Sequence, residues 1–225
     1  MTDLTAFPLP ALARAESPPA RFAPYRQGGK RALDLLLLTC ALPVVLPLLA
    51  VLALLVARDG GGAFYGHVRV GRDGRSFRCW KLRTMLPEAD LRLGQILAAD
   101  GRARAEWRAT QKLRNDPRVT ALGRVLRRTS LDELPQLWNV ARGEMSLVGP
   151  RPVTAGELTR YGPARAAYLS ARPGLTGLWQ VSGRNSLTYE ARIALDLRYL
   201  SGVSLRRDLA ILARTLRAVA ATPGH

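Results

Sequence analysis

Histidine is nearly missing from this 225-residue chain: His67 and His225 are the only two. A His-rich metal centre is therefore excluded, and any metal would be a hard, oxygen-bound cation such as Mg²⁺. Cysteine is equally scarce. Cys40 and Cys79 show no zinc-type spacing, and two thiols do not make a disulfide framework. Aromatic residues amount to 6%, and neither a zinc-finger spacing nor a helix-turn-helix pattern is present. Nucleic acid is accordingly not an expected partner. Lysine is confined to Lys30, Lys81 and Lys112, and acidic residues number 17 against 34 basic ones. The formal net charge of +17 is thus carried almost wholly by arginine. A guanidinium is a planar fork that matches phosphate and carboxylate oxygens, so the excess points to an anionic partner such as anionic lipid or a phosphorylated small molecule.

Long uncharged stretches are absent except for one. Residues 1–29 are rich in Ala, Pro and Arg without periodicity and read as a flexible N-terminal tail. Lys30, Arg31 and Asp34 then precede an uncharged run over residues 35–57, long enough to cross a bilayer as a helix. Pro43 and Pro47 lie inside it, each removing a helix hydrogen bond. Both flanks are basic, with Arg21, Arg26, Lys30 and Arg31 before the run and Arg58, Arg69, Arg72 and Arg75 after it. Positive flanks favour the cytoplasmic side. A helix that dips in and returns keeps both flanks inside, whereas a Pro-kinked span puts one outside; the residues alone leave both open.

The remainder reads as a helix-rich α+β domain over residues 59–221. Residues 63–70 and 76–85 form two strands about a Gly-Arg-Asp-Gly turn. Pro87 opens two helices broken near Asp100-Gly101. A short helix over 119–128, a strand over 145–148 and a loop around Trp179 follow. Ser204 caps a last helix with Leu205, Leu209, Leu212 and Leu216 on one face. That face either packs on the core or lies along an anionic membrane surface.

The residues that could carry chemistry are clustered. In RRTSLDELPQL, two adjacent carboxylates, Asp132 and Glu133, follow paired arginines. A carboxylate here could attack phosphorus while arginines neutralise the developing charge. The rival reading is a capping box from Ser130 to Glu133 that merely closes a helix N-terminus. Gly149-Pro150-Arg151-Pro152 holds Arg151 in a preset direction, suited to a phosphate clamp or to a plain rigid turn. Lys81 and Arg83 share one strand face, and Asp116-Pro117-Arg118 is a further anion-binding candidate.

These segments together resemble the bacterial sugar transferase family of polyprenyl-phosphate hexose-1-phosphate transferases. The strings KRALD, KLRTM, DPRVTALGRVLRRTSLDELPQLWNV, GEMSLVGPRP and RPGLTGLWQVSGR stand in that order from Lys30 to the last helix. The insertion containing TQKLRND is similar to the subgroup that starts exopolysaccharide synthesis with galactose- or glucose-1-phosphate. The resemblance implies a re-entrant membrane helix over residues 30–58, in the bacterial inner membrane, with the catalytic domain on the cytoplasmic face. The family's bend at a Ser-Pro pair falls on Leu46-Pro47; Leu46 departs from the pattern and Pro43 adds a second break.

The same resemblance implies that Asp132 attacks the sugar-bearing phosphorus of a UDP-sugar. UMP would leave, and undecaprenyl phosphate would take the phosphosugar from the aspartate. Mg²⁺ would be held at Asp132 and Glu133. Arg151 would be the foremost substrate-phosphate ligand, with Lys81, Arg83, Arg118 and Arg128 behind it. Assembly is left open between a monomer and a homodimer. Two other classes compete: a basic nucleic-acid-binding protein, and a noncatalytic scaffold gripping anionic lipid.

Overall fold

The computed structural model describes residues 24–58, 60–110, 113–183 and 187–221. The tail expected over residues 1–29 lies mostly outside them, and its described end is helical. A wide turn, Tyr25–Gly29, runs directly into helix α1, Lys30–Ala57. Tyr25 explains the early start, because its hydroxyl donates to Asp208 Oδ2 at 2.6 Å and ties this turn to the C-terminal helix.

Helix α1 continues through Pro43 and Pro47 as one element. Its outer surface is apolar and uncovered: Leu36 is 61% exposed, Val44 71% and Leu54 71%. Its two ends are not. Near the N-terminal end, Asp34 and Leu38 are buried, and Asp34 Oδ1 accepts the Leu147 N–H at 3.0 Å. Lys30 pairs with buried Asp208 at 2.5 Å, and Arg31 donates to the Val140 and Ala141 carbonyls. Near the C-terminal end, Leu52 and Val56 pack with Leu82 and Leu126. Both ends of a 28-residue helix therefore rest on one domain.

The hairpin has the expected form. Strand β1, Phe64–Val70, pairs antiparallel with β2, Ser76–Leu82, in the register Gly66↔Trp80. Its turn puts Asp73 in the left-handed region (φ 58°). The helical insertion forms α2, Ala89–Ala99, and α3, Gly101–Thr110; α4 is Ala121–Thr129 and α5 is Gln136–Arg142. Strand β3, Ser146–Val148, has a partner the sequence pattern did not reveal, the parallel β4, Gly174–Thr176. Three glycines make this possible. A Cβ on Gly174 would stand 2.1 Å from the Gly149 nitrogen, and one on Gly177 would stand 2.2 Å from the Gly149 carbonyl oxygen. Backbones this close leave no room for a side chain, and the contact fixes where the Pro150–Pro152 loop leaves β3.

Helices α6, Ala155–Leu158, α7, Arg165–Leu169, and α8, Tyr189–Leu200, were also not legible. The last helix, α9, Leu205–Ala221, starts as expected, with Ser204 Oγ accepting the Arg207 N–H at 3.3 Å. Its Asp208 and Ile211 turn into a core of Phe77, Val140, Met145, Val148 and Tyr199, whereas Leu205, Leu209 and Leu216 stay exposed.

Candidate active site

The Asp132-Glu133 pair sits on a single 3₁₀ turn, Leu131–Glu133, between α4 and α5. The capping box from Ser130 to Glu133, the rival reading of this string, is not formed. Ser130 adopts the left-handed conformation (φ 58°) that closes α4, and its N–H donates to the Arg127 carbonyl at 3.3 Å. Its side chain caps nothing, and Glu133 instead receives Lys81 Nζ at 2.6 Å. The same pattern does form a capping box at Thr154 and Glu157. Pro135 stands just before α5, where its missing N–H costs no helix bond.

Hydrophobic contacts hold the turn in place. Leu131 and Leu134, on either side of the carboxylates, pack against the cluster of Leu52, Val56, Leu82 and Leu126. The dyad is thus fastened to the C-terminal half of the apolar helix. From β2, Lys81 Nζ lies 2.6 Å from Glu133 Oε1 and 3.7 Å from Asp132 Oδ2.

Asp132 is buried, and burial raises its pKa; Lys81 opposes this, Glu133 reinforces it, and Arg127 opposes it. Burial also works against the Lys81 charge, but Glu133 and Asp132 outweigh it and hold the ammonium above its usual pKa. Arg127, not named among the phosphate ligands above, is therefore the member of the Arg127-Arg128 pair whose field reaches the dyad. It is anchored by donation to Thr84 Oγ1 at 2.8 Å. Arg128 is exposed on α4. Arg127 is exposed as well; paired arginines before the dyad were visible in the sequence, but a helix turns about 100° between neighbours, and only the register decides which one reaches Thr84 and the dyad.

Arg151 belongs to a second cluster. Its guanidinium lies over the Trp179 ring at 5.3 Å and 3.9 Å from Glu157 Oε1. Glu157 also accepts from Arg69 at 2.8 Å. Prolines 150 and 152 have no N–H, so the Arg151 amide is the one donor between them, and it faces Asp196 Oδ2 at 3.3 Å. The Tyr161 hydroxyl donates to the same oxygen at 2.8 Å. Burial pushes the Asp196 carboxyl up to about 7, against the pull of these two donors.

The hairpin connects the two clusters. Arg69, Cys79 and Lys81 share one face by strand alternation and register. Burial pushes the Cys79 thiol up to about 11, with Lys81, Arg69, Glu133 and Arg151 all acting on it electrostatically. Glu157, Trp179 and Asp196 gave no sequence signal as site residues, because their partners are 6 to 88 positions away in the chain or act only through packing.

The other two arginines named from the sequence have structural partners. Arg118 is buried and makes a forked contact with Asp116, with 2.8 and 2.6 Å bonds, while stacking on Trp107. Arg83 donates to the Val56, Gly62 and Met85 carbonyls and so closes the end of α1. Among the described residues no group of three or more His, Cys, Asp or Glu side chains comes together. The two adjacent carboxylates form an oxygen-only donor set. That fits Mg²⁺, which binds through one or two carboxylates and completes its shell with substrate phosphates and water.

The family profile described as bacterial sugar transferase matches residues 25–222. The exopolysaccharide production protein ExoY of Rhizobium meliloti (strain 1021) is 52% identical over 197 residues, 87% of each chain. The UDP-galactose-lipid carrier transferase of Erwinia amylovora is 53% identical over 190 residues, 84% of this chain. The undecaprenyl-phosphate galactose phosphotransferase of Salmonella typhimurium (strain LT2) is 50% identical over 190 residues. The chain spans only 40% of the length of each of the last two. With nearly the whole described fold matched, this chain belongs to the bacterial sugar transferase family.

Proposed function

We propose that this chain transfers a sugar-1-phosphate from a UDP-sugar to undecaprenyl phosphate, releasing UMP, as the first membrane step of exopolysaccharide synthesis. The observation that carries the reading is the packing of Leu131 and Leu134 against Leu52 and Val56. It brings a buried carboxylate, Asp132, to the end of an apolar helix, where a lipid phosphate can meet a soluble nucleotide. The names of the relatives, which specify galactose and, in Caulobacter vibrioides, glucose, support a hexose donor.

Asp132 supplies the nucleophile in this scheme. One of its oxygens forms a bond to the sugar-bearing phosphorus as the bond to UMP breaks. An oxygen of the lipid phosphate then attacks that phosphorus, the aspartyl bond breaks and the carboxylate is regenerated. Lys81 and Arg127 favour the ionised form of Asp132 against the effect of burial and offset charge on the phosphoryl oxygens. Arg151, its backbone fixed by Asp196, grips the second phosphate. Mg²⁺ at Asp132 and Glu133 would supply further neutralisation of the diphosphate. The test is a panel of UDP-sugars incubated with undecaprenyl phosphate and Mg²⁺. UMP release that depends on lipid, metal and one particular sugar is expected. Release from no UDP-sugar in the panel would remove the proposed donor class.

The membrane arrangement follows the same logic. Both ends of α1 are pinned to one domain, by Lys30, Arg31 and Asp34 at the start and by Leu52 and Val56 near the end. This supports a re-entrant helix in the inner membrane with the domain on the cytoplasmic face, because a spanning helix would carry one end away from the domain. A cysteine added before Lys30 should resist a membrane-impermeant thiol reagent in intact cells. Ready labelling there would sink the one-sided arrangement.

A further inference from the structure

The end of α1 opposite the dyad carries a cluster of arginines that the transfer reaction does not use. Arg31 and Arg172 flank Gly143, which takes the left-handed conformation (φ 77°) after α5. A side chain built on Gly143 would meet Arg31 Nη2 at 3.6 Å and Arg172 Nε at 4.0 Å. Arg72 opens the hairpin turn, Arg72–Gly74, that packs against α7, the helix leading to Arg172, and it joins Arg31 in acting on Arg172. Burial first, and then these two charges, hold the Arg172 guanidinium below its ordinary pKa, against the opposing pull of Asp34 and Asp73.

The end of α5 accounts for only part of this charge. Arg31 donates to Val140 and Ala141, and Arg172 Nε donates to the Gly143 carbonyl at 2.8 Å. The helix end is already closed by backbone bonds from Gly143, Glu144 and Met145. A helix terminus offers about half a negative charge, and Asp34 and Asp73 act on Arg172 as well, against three guanidiniums and Lys30, which is already paired with Asp208. No carboxylate lies within ion-pair distance of Arg31 or Arg172 among the described residues, and Arg72 has only a 3.6 Å contact with Asp73. The Nη1 and Nη2 donors of Arg172 make no hydrogen bond there.

We infer that Arg31, Arg72 and Arg172 form a seat for the anionic headgroup of a membrane phospholipid at the root of α1. Depth is the argument for lipid as the occupant. Leu35 and Leu36, about one helical turn beyond Arg31, are exposed and apolar, at 39% and 61%. If they lie in hydrocarbon, Arg31 lies at the level of the phosphates. The seat is about 30 Å along the helix from the residues that hold the dyad, so a lipid there would orient the domain without entering the reaction. Each basic residue at such a surface tightens the binding of anionic lipid by roughly fivefold.

This inference rests on the reading that α1 is seated in a bilayer, and the experiment separates the two. The full chain is first incorporated into phosphatidylcholine vesicles; failure to incorporate would defeat the membrane reading itself. Binding of short-chain phosphatidylglycerol is then measured on protein in uncharged detergent, against short-chain phosphatidylcholine and inorganic phosphate. Phosphatidylglycerol should be preferred. Arg72→Gln with Arg172→Gln should weaken it roughly 10- to 30-fold, the loss for two such contacts. Arg102→Gln with Arg108→Gln, which removes the same charge from α3, should change it less than about twofold on the same scale. Arg172→Lys keeps the charge and should retain most of the binding, which guards against a misfolded double variant. Equal loss in the α3 control, no preference over phosphatidylcholine, or equally tight binding of inorganic phosphate would each overturn the headgroup seat.

Discussion

Asp132→Asn should reduce turnover by about 10³-fold or more, the scale on which losing a covalent nucleophile is felt, or roughly 4 kcal/mol of barrier. The amide is nearly isosteric and keeps its place between Leu131 and Glu133, so the substitution removes nucleophilicity with little change in shape. Burial of Asp132 beside a second carboxylate also means that the neutral amide relieves an electrostatic cost. The variant should therefore be at least as stable as the parent. Activity lost without loss of stability is a combination that a purely structural carboxylate would not give. Glu133→Gln should be milder, since Glu133 is bound to Lys81 at 2.6 Å and serves as a charge partner. Single-turnover incubation with labelled UDP-sugar, without lipid acceptor, discriminates between them. The parent and Glu133→Gln should acquire a protein-bound phosphosugar, and Asp132→Asn should not. A labelled Asp132→Asn protein would show that the attacking group is elsewhere.

The parts of this molecule that depend on local pattern were legible in the sequence. The hairpin was marked by its Gly-Arg-Asp-Gly turn, the α2–α3 break by Asp100-Gly101, and the start of α9 by Ser204. The strand before Arg151 was legible but its pairing was not, because β3 and β4 are three residues each and are joined by glycine close approaches across 28 positions of chain. The rival capping-box reading fails for a related reason. Ser130-x-x-Glu133 and Thr154-x-x-Glu157 are indistinguishable as patterns. They part because Ser130 is taken up in ending α4, while Thr154 is free to begin α6. The site residues divide similarly. Asp132, Glu133, Lys81 and Arg151 stood in recognisable strings. Arg127 differed from Arg128 only by helix register. Asp196 mattered only because two prolines left the Arg151 amide as a solitary donor.

Lys81→Gln should lower activity roughly 10- to 100-fold near neutral pH and shift the acid limb of the pH profile to higher pH. The sign follows from the charges around Asp132. The reaction needs the carboxylate ionised, and burial already places its pKa above the usual 3.8. Lys81, 3.7 Å away, is the strongest influence holding it down. Its ammonium stays charged because its own pKa is raised by Glu133 and Asp132. Removing it leaves Asp132 facing Glu133 with Arg127 and a backbone hydrogen bond in opposition. The fraction ionised at a given acidic pH falls, and the limb should move to higher pH. Raising the pH should then recover part of the lost rate. Lys81→Arg keeps the charge and should keep the limb near its original position, even if the larger guanidinium disturbs the 2.6 Å contact with Glu133. The measurement is kcat/KM against pH for the three proteins. An unmoved acid limb in Lys81→Gln, with a uniform loss at every pH, would mean that Lys81 binds substrate phosphate without tuning Asp132. A loss that persists in Lys81→Arg together with reduced thermal stability would assign it to packing at the end of β2.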